Sequence, residues 1–316
     1  MKVLIAQDIT SAGKDFLREQ GYEVVLASAA DEQTLCREAA DCQAILVRTA
    51  PITRRIMESA PELKVIARHG VGVDAIDLAA ATELGIQVTN GPLSNYQSVA
   101  EHAVALLMAC AHHIVAMDSC VRRGDWESRN RVRLTEMNGK TVGIVGLGRI
   151  GQAVAAKLAL GLGMKVIGYD KYVKPELLPD YVTLVDTMEQ LMEQSDFVTL
   201  HCPATPETRG SINMSCFEKM KPGAFLINCA RGEVVNEADL YAALTQGKLA
   251  GAGLDVLQTE PPAADNPLLK LDNVILSPHC GAHSAETFDK MGLHAAIGIH
   301  EVLSGAPVSW PVNRLG

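Results

Sequence analysis

Residues that can move protons or hold anions recur just after short apolar runs in the second half of this 316-residue chain. His201, Cys202 and Pro203 follow a run at 196–200, and Cys229, Ala230, Arg231 and Gly232 follow one at 224–228. Asp255 lies in a run at 251–256 with Glu260 shortly after it, and Ser277, Pro278 and His279 follow 273–276. Each run has the length of a buried strand. In a doubly wound parallel sheet all such carboxyl ends line one crevice, so these side chains would converge although they are distant in sequence. Histidine is the natural proton donor near neutral pH, and a carboxylate partner raises its pKa and orients the ring. An arginine fork can hold a carboxylate and polarise the carbonyl beside it. An Arg, a Glu and a His together suit reduction of a 2-oxo acid, with hydride arriving at carbon and a proton at oxygen.

The stretch 140–170, KTVGIVGLGRIGQAVAAKLALGLGMKVIGYD, supplies the other half of that chemistry. It reads as strand, glycine turn, helix and second strand. Gly146, Gly148 and Gly151 form G-x-G-x-x-G: the first for a tight turn, the second for close approach of backbone to a pyrophosphate, the third for helix–strand packing. Three glycines alone fit a tightly packed turn equally well. Their place between a strand and a helix, with Asp170 about 20 residues on, points to a dinucleotide whose diphosphate meets a helix N-terminus. A carboxylate at Asp170 bonds ribose hydroxyls and repels a 2'-phosphate, which favours NAD over NADP.

Ahead of this unit the chain alternates on its own account, with strand-like runs at 3–6, 23–26, 44–47, 64–67 and 86–89 and helical stretches such as 11–20 and 31–40. That is a small parallel-sheet domain. Arg48 and Arg68 stand at strand ends, where they either meet a ligand or are solvated surface arginines; with His69 they could surround a pocket with positive charge. The loop His69-Gly70-Val71-Gly72 offers backbone N–H groups to an anion, or is an ordinary glycine-rich turn. Residues 99–121 read as one long apolar helix connecting the domains, with Met108 and Met117 in the core and His112 and His113 near its wet end. The segment from Ala285 reads as a helix ended by Gly305 and Pro307.

A hydrophobic share of 48% with 21% charged residues is ordinary globular composition, and a formal charge of -9 argues against a nucleic-acid or anionic-membrane surface. The apolar runs are too short for a signal peptide or a membrane span, so a cytoplasmic protein without nucleic-acid or membrane partners is expected. The eight cysteines show no C-x-x-C and fit reduced, buried thiols. No partnered ligand spacing suggests a metal.

The motifs RHGVGVDAID, NYQSVAEHAVALLMA, VGIVGLGRIG, LHCPATPETRG, NCARGEVVNEADL, GLDVLQTEPP, SPHCGAH and PVN run nearly end to end. In series they resemble the D-isomer-specific 2-hydroxyacid dehydrogenases, a family that includes phosphoglycerate, glyoxylate/hydroxypyruvate and D-lactate dehydrogenases. The resemblance is to the phosphoglycerate dehydrogenase-like short form, without a C-terminal regulatory domain. It implies an α/β protein of two Rossmann-like doubly wound parallel-sheet domains with a crevice between them. The substrate domain would be discontinuous, 1–98 plus 285–316, and 99–284 would be the NAD-binding domain and carry the interface of a homodimer. By the same resemblance Arg231 binds and activates the substrate, Glu260 pairs with the acid/base histidine, and His279 exchanges the proton. Arg149 and Ile150 would touch the diphosphate, Asp170 the ribose, and His201, Pro203 and Thr208 the adenosine side. Cys229, Ala230 and Asp255 would lie along the nicotinamide ribose and carboxamide. Val71, Gly72 and Asn95 match the family's substrate-side loops, and Arg48 is an added candidate there. Tyr96 departs from the family, in which a small hydroxyl residue is common at that place. The implied substrate is a small 2-oxo or D-2-hydroxy acid, of phosphoglycerate or hydroxypyruvate/glyoxylate type, and domain closure is expected to hinge near 95–99 and 283–285. Two relatives share much of the pattern: formate dehydrogenases, which carry Gln where Glu260 stands, and NAD-gated corepressors, which retain the catalytic residues.

Overall fold

The computed structural model describes residues Met1–Leu315, and the chain divides into two compact units, Met1–Tyr96 with the chain from Ala282 on, and Gln97–Gly281. The first unit holds β1 (Lys2–Ile5), β2 (Glu23–Leu26), β3 (Ala44–Val47), β4 (Val65–Arg68) and β5 (Gln87–Thr89) in one parallel sheet of order β2-β1-β3-β4-β5. Its helices are α1 (Ser11–Glu19), α2 (Glu32–Glu38), α3 (Arg54–Glu58), α4 (Leu78–Glu83) and, from the far end of the chain, a helix over Ala285–Ser304.

Runs such as AILV are apolar at every position because the sheet is covered on both faces. Val3, Ile5, Ala44, Leu46, Val65 and Ala67 pack with Leu17 of α1 and with Ala295, Ala296 and Ile299 of the C-terminal helix. The alternate residues Leu4, Ile45 and Ile66 pack with Leu35, Ile56 and Ala80 of α2, α3 and α4. The C-terminal helix crosses α1 so closely at Gly292 that a Cβ on Gly13 would lie 2.6 Å from the Gly292 carbonyl oxygen. The closing PVN seals this unit. Val312 N donates to Val88 O at 2.8 Å, and Asn313 Oδ1 accepts from Val88 N at 2.7 Å. Asn313 Nδ2 donates to Ile86 O at 2.9 Å and Thr82 Oγ1 at 3.1 Å, so the tail closes the exposed edge at β5.

The second unit is built on seven parallel strands: β6 (Thr141–Val145), β7 (Lys165–Tyr169), β8 (Val182–Leu184), β9 (Phe197–Leu200), β10 (Ala224–Asn228), β11 (Leu249–Leu254) and β12 (Val274–Leu276). Their order is β12-β11-β10-β9-β6-β7-β8, which reverses between β6 and β9, the switch point at which doubly wound sheets bind ligands. β11 begins and ends two residues before the expected run, which leaves Asp255 and Val256 just beyond the strand.

The helix expected over 99–121 is two. α5 (Tyr96–Ala111) packs Leu106 and Cys110 against Gly253 of β11, and α6 (Ile114–Arg122) leaves it at an angle of 58°. The bend lies at His113, whose φ of 46° is left-handed and whose ring meets Phe225 edge-on at 6.5 Å. Histidine tolerates that conformation better than most residues, and no Gly or Pro was needed to break the helix. His112 and His113 therefore mark the break and not a wet end. Met108 is exposed and Met117 half-buried, so neither is a core residue. No α6 residue is buried; Ile114, Val115 and Val121 are exposed, as are Trp126 and Leu134 beyond. Among the described residues no single helix is long and apolar enough to cross a membrane.

Candidate active site

The three glycines of the turn after β6 do three different things. Gly146 has φ 93°, its N–H donates to Tyr169 O at 2.9 Å, and a Cβ there would lie 2.8 Å from backbone atoms of His201 and Cys202. Gly151, in the first turn of α7 (Arg149–Ala156), sits so close beneath the turn that a Cβ would be 2.0 Å from Gly146 O. Gly148 has nothing within 4 Å of where a Cβ would be, and it caps α7 without any side chain on the helix N–H groups. An open backbone cradle at a helix N-terminus fits a diphosphate. Arg149 beside it is exposed and Ile150 half-buried.

Asp170 follows β7. Its Oδ2 accepts from Leu147 N at 2.8 Å inside the glycine turn, and its Oδ1 from Tyr172 N at 2.8 Å and Val173 N at 3.1 Å. The carboxylate is thus tied to the cradle while keeping lone pairs for hydroxyl donors. After β9, His201 shares a hydrogen bond of 2.9 Å between Nε2 and Thr199 Oγ1, while its Nδ1 is buried without a protein partner. Burial pushes that ring down to a pKa of about 3, so it is neutral. Thr208 Oγ1 donates to Pro203 O at 2.6 Å and accepts from Thr205 N at 2.7 Å, which fixes the loop.

Beyond β10, β11 and β12 the proton-handling groups meet. His279 Nδ1 and Glu260 Oε2 are 2.7 Å apart, and Glu260 Oε1 accepts from Leu257 N at 3.2 Å. The hydrogen bond to Glu260 raises the His279 pKa, helped by that carboxylate's charge; burial and the charge of Arg231 oppose the rise without cancelling it. Burial alone would raise the Glu260 carboxyl, but the bond and charge of His279 hold it below its ordinary value. His279 itself has φ 50°, and its N–H donates to Asp255 O at 2.8 Å. Arg231 precedes a short helical turn over Gly232–Val234, and its Nη1 donates to Ala230 O at 2.7 Å.

Several residues that position this group were given no positioning role in the sequence reading. Asn228, the last residue of β10, donates from Nδ2 to Arg231 O at 3.0 Å and accepts at Oδ1 from Ala230 N at 3.0 Å. Gly232 brings the arginine loop against the loop of Glu260: a Cβ would lie 2.0 Å from the carbonyl carbon and oxygen of Leu257. Glu237, at the start of the helix over Glu237–Thr245, accepts from Gln258 N at 2.6 Å. The signal for Asn228 and Gly232 was their place on either side of the cysteine, alanine and arginine after β10.

Asp255 is buried and accepts from Ser277 Oγ at 2.6 Å, Cys280 N at 2.9 Å and Gly281 N at 2.9 Å. Burial would raise its pKa, yet His102, Ser277 and those N–H groups outweigh it and keep the carboxyl below its usual range. Cys229 is buried with its thiol pushed well up, hence protonated, and Ala230 beside it is buried too. Ligand atoms of His102, Asp255 and Cys280 come within 4.8 Å of one another, but hydrogen bonding already accounts for the His102 ring and the Asp255 carboxylate.

The remaining sequence candidates belong to the first unit. Arg48, at the end of β3, donates from Nη1 to Asp8 O at 3.1 Å and lies over the Phe288 ring at 5.1 Å. Asn90 Nδ2 donates to Val71 O at 2.8 Å, and Arg68 Nε donates to Gly72 O at 2.7 Å, so the guanidinium of Arg68 braces its own loop. Asn95 Oδ1 is buried without a partner. His69 corrects the expectation of a third positive charge: burial first, then the charges of Arg48 and Arg68, bring its pKa down to about 4, and the ring is neutral.

The sequence profile of the NAD-binding domain of D-isomer specific 2-hydroxyacid dehydrogenases matches residues 104–281. A curated relative, the D-3-phosphoglycerate dehydrogenase of Archaeoglobus fulgidus, is 44% identical over 315 residues, 99% of this chain and 59% of that protein. The chain thus spans about 59% of the length of the first curated relatives it matches. A crystal structure of a protein from Thermus thermophilus superposes with a TM-score of 0.92 at 36% identity, covering 99% of this chain and 100% of that one. The NAD-dependent formate dehydrogenase of Staphylococcus aureus, solved with NAD, gives 0.88 at 29% identity over the whole of both chains. With its glycine cradle, its Rossmann strand order and this profile match over more than half its length, the chain belongs to the D-isomer specific 2-hydroxyacid dehydrogenase family.

Proposed function

We propose that this protein is an NAD-dependent oxidoreductase that interconverts a small D-2-hydroxy acid and its 2-oxo acid. The observation that carries this reading is the His279–Glu260 pair, a 2.7 Å contact on a ring whose pKa is raised, at the carboxyl end of a dinucleotide-binding sheet. Bound NADH supplies the hydride. Gly146, Gly148, Arg149, Ile150 and Gly151 receive the diphosphate, Asp170 the ribose, His201, Pro203 and Thr208 the adenosine side, and Cys229, Ala230 and Asp255 the nicotinamide side. Arg231 holds the substrate carboxylate and polarises the carbonyl. His279 gives its Nε2 proton to the carbonyl oxygen, and Glu260 stabilises the imidazolium before transfer and fixes the ring through Nδ1. In the oxidative direction the same ring accepts the hydroxyl proton. Val71, Gly72, Asn95 and Arg48 are assigned to the substrate side. The unpartnered Oδ1 of Asn95 supports this, since a buried acceptor gains from a ligand donor.

A second anionic group on the substrate, as in a phosphorylated 2-oxo acid, is favoured by the curated relatives' activity and by Arg48, which spends only Nη1 on a protein acceptor. The exposed apolar side chains of α6 support a homodimer. The eight free cysteines suit a reducing cytoplasm. A corepressor on this fold would carry the same residues and need NAD affinity without turnover, so rate is what separates the two. The test is a panel of 2-oxo acids with NADH, in wild type and His279→Ala. We expect turnover in the wild type, and in the variant a loss of about 10²- to 10⁴-fold with near-normal NADH binding. A variant within threefold of wild type would show that the proton comes from elsewhere, and a wild type that binds NADH but turns over nothing would favour the binding module.

A further inference from the structure

The catalytic histidine sits on a loop, and what holds that loop comes from a helix more than a hundred and fifty positions earlier in the chain. Ser98 and His102 are one turn apart on α5 and so share a face. Ser98 Oγ donates to Gly281 O at 2.7 Å. His102 Nε2 lies 2.8 Å from Ser277 Oγ and 3.3 Å from Asp255 Oδ1. The direction of this chain follows from counting protons. Ser277 has a single hydroxyl proton, and the 2.6 Å contact to the Asp255 carboxylate uses it, because a carboxylate held in its ionised form cannot donate. Ser277 Oγ must then accept from His102, which fixes His102 with its proton on Nε2.

Asp255 carries the constraint onward. It takes the N–H of Cys280 and of Gly281 on its two oxygens, while its own carbonyl takes the N–H of His279. Residues 277–281 are therefore clamped from both ends, with His279 between them at φ 50°, a left-handed conformation uncommon outside glycine that the clamp helps to hold. Space is used as tightly: a Cβ on Gly281 would be 3.0 Å from Asp255 Oδ2 and 3.5 Å from the His102 side chain.

We propose that His102 and Ser98 are positioning residues for the acid–base histidine, acting through Ser277, Asp255 and Gly281 to hold His279 in hydrogen-bonding register with Glu260. This rests on the acid–base reading of His279 and adds to it the source of its geometry. A displacement of about 1 Å at a reacting group costs on the order of 100-fold in rate, so a small slackening of the clamp is readable. The charged and titratable groups facing His279 are Glu260, Arg231 and Asp255. Of these Glu260 raises its pKa most. Reduction needs the protonated ring, so the rate falls as pH rises through the His279 pKa; weakening the Glu260 contact lowers that pKa and moves the limb to lower pH.

The experiment compares His102→Leu, His102→Gln and Ser98→Ala with wild type and His279→Ala, recording kcat, KM, NADH binding and the pH profile of reduction. His102→Leu is expected to lower kcat about 10- to 100-fold with NADH affinity and substrate KM within threefold, and to move the basic limb to lower pH. His102→Gln, whose Nε2 can still donate to Ser277, should restore the limb and most of the rate. Ser98→Ala should shift both in the same direction by less. An unshifted limb with kcat within threefold in His102→Leu would overturn the proposal, and should His102→Leu not fold, an unshifted limb with unchanged kcat in Ser98→Ala would overturn it. Full rate in His279→Ala would instead remove the acid–base reading on which it rests.

Discussion

Gly232→Ala tests whether the arginine loop and the glutamate loop depend on each other. The added Cβ would lie 2.0 Å from the carbonyl carbon and oxygen of Leu257, where ordinary contact begins near 3.4 Å, so the two backbones must part by about 1.4 Å. Both neighbours are main chain and cannot swing away as a side chain would. Leu257 N is the donor to Glu260 Oε1, and Glu260 Oε2 is 2.7 Å from His279. A shift of that size carries the carboxylate beyond hydrogen-bond range of the ring. Overpacking of this kind costs about 1–3 kcal/mol, or about 2–12 °C in Tm for a unit of this size. The rate should suffer more than the stability, with kcat for 2-oxo acid reduction falling at least about tenfold and its basic limb moving to lower pH. NADH binding, whose diphosphate contacts are proposed to lie at the glycine turn after β6, should stay within threefold. Stopped-flow reduction and NADH fluorescence titration read the two separately. A variant with wild-type kcat and limb would refute the claim that Gly232 sets the spacing of Arg231 and Glu260.

His69 is 3% exposed with a pKa near 4, below its ordinary 6.5. The unfolded chain binds a proton more readily between those values, so stability is full above about 6.5 and is lost as pH falls toward 4. The first unit should lose about 2 kcal/mol from this ring between pH 7 and 5, and His69→Phe should flatten that loss in urea titrations; an equal loss in the variant would refute it. The exposed α6 face predicts a dimer by light scattering at micromolar concentration that Val115→Asp converts to monomer, and a wild type that is already monomeric would count against the α6 interface.

Much of this was legible in the chain. The short apolar runs located most of the strands, because a parallel sheet covered on both faces buries nearly every position of a strand. Arg231, Glu260 and His279, the residues proposed for the chemistry, stand beyond the carboxyl ends of those runs. The break at His113 was not legible, since a ring docked on Phe225 and not a breaker residue ends α5 there. Equally hidden was the neutral state of His69, which follows from its burial in the folded unit and from the charges of Arg48 and Arg68. Asn228, Gly232 and His102 lie next to or within recognisable motifs, but their work is done through contacts whose partners only the fold assembles.

The order in which the ribosome delivers the chain bears on the first sheet. Its five strands emerge early, yet the helix over Ala285–Ser304 and the Asn313 clasp emerge only after the roughly 185 residues of the second unit. At about 5–20 residues per second that interval is about 10–40 s. Throughout it Val3, Ile5 and Leu46 lack Ala295, Ala296 and Ile299 as cover, and β5 presents an unpaired edge. The contiguous second unit can complete its own core meanwhile. Nascent chains of this protein therefore pass through a stage with one finished domain and one half-built, sticky sheet, the stage at which a holdase chaperone has the most surface to bind.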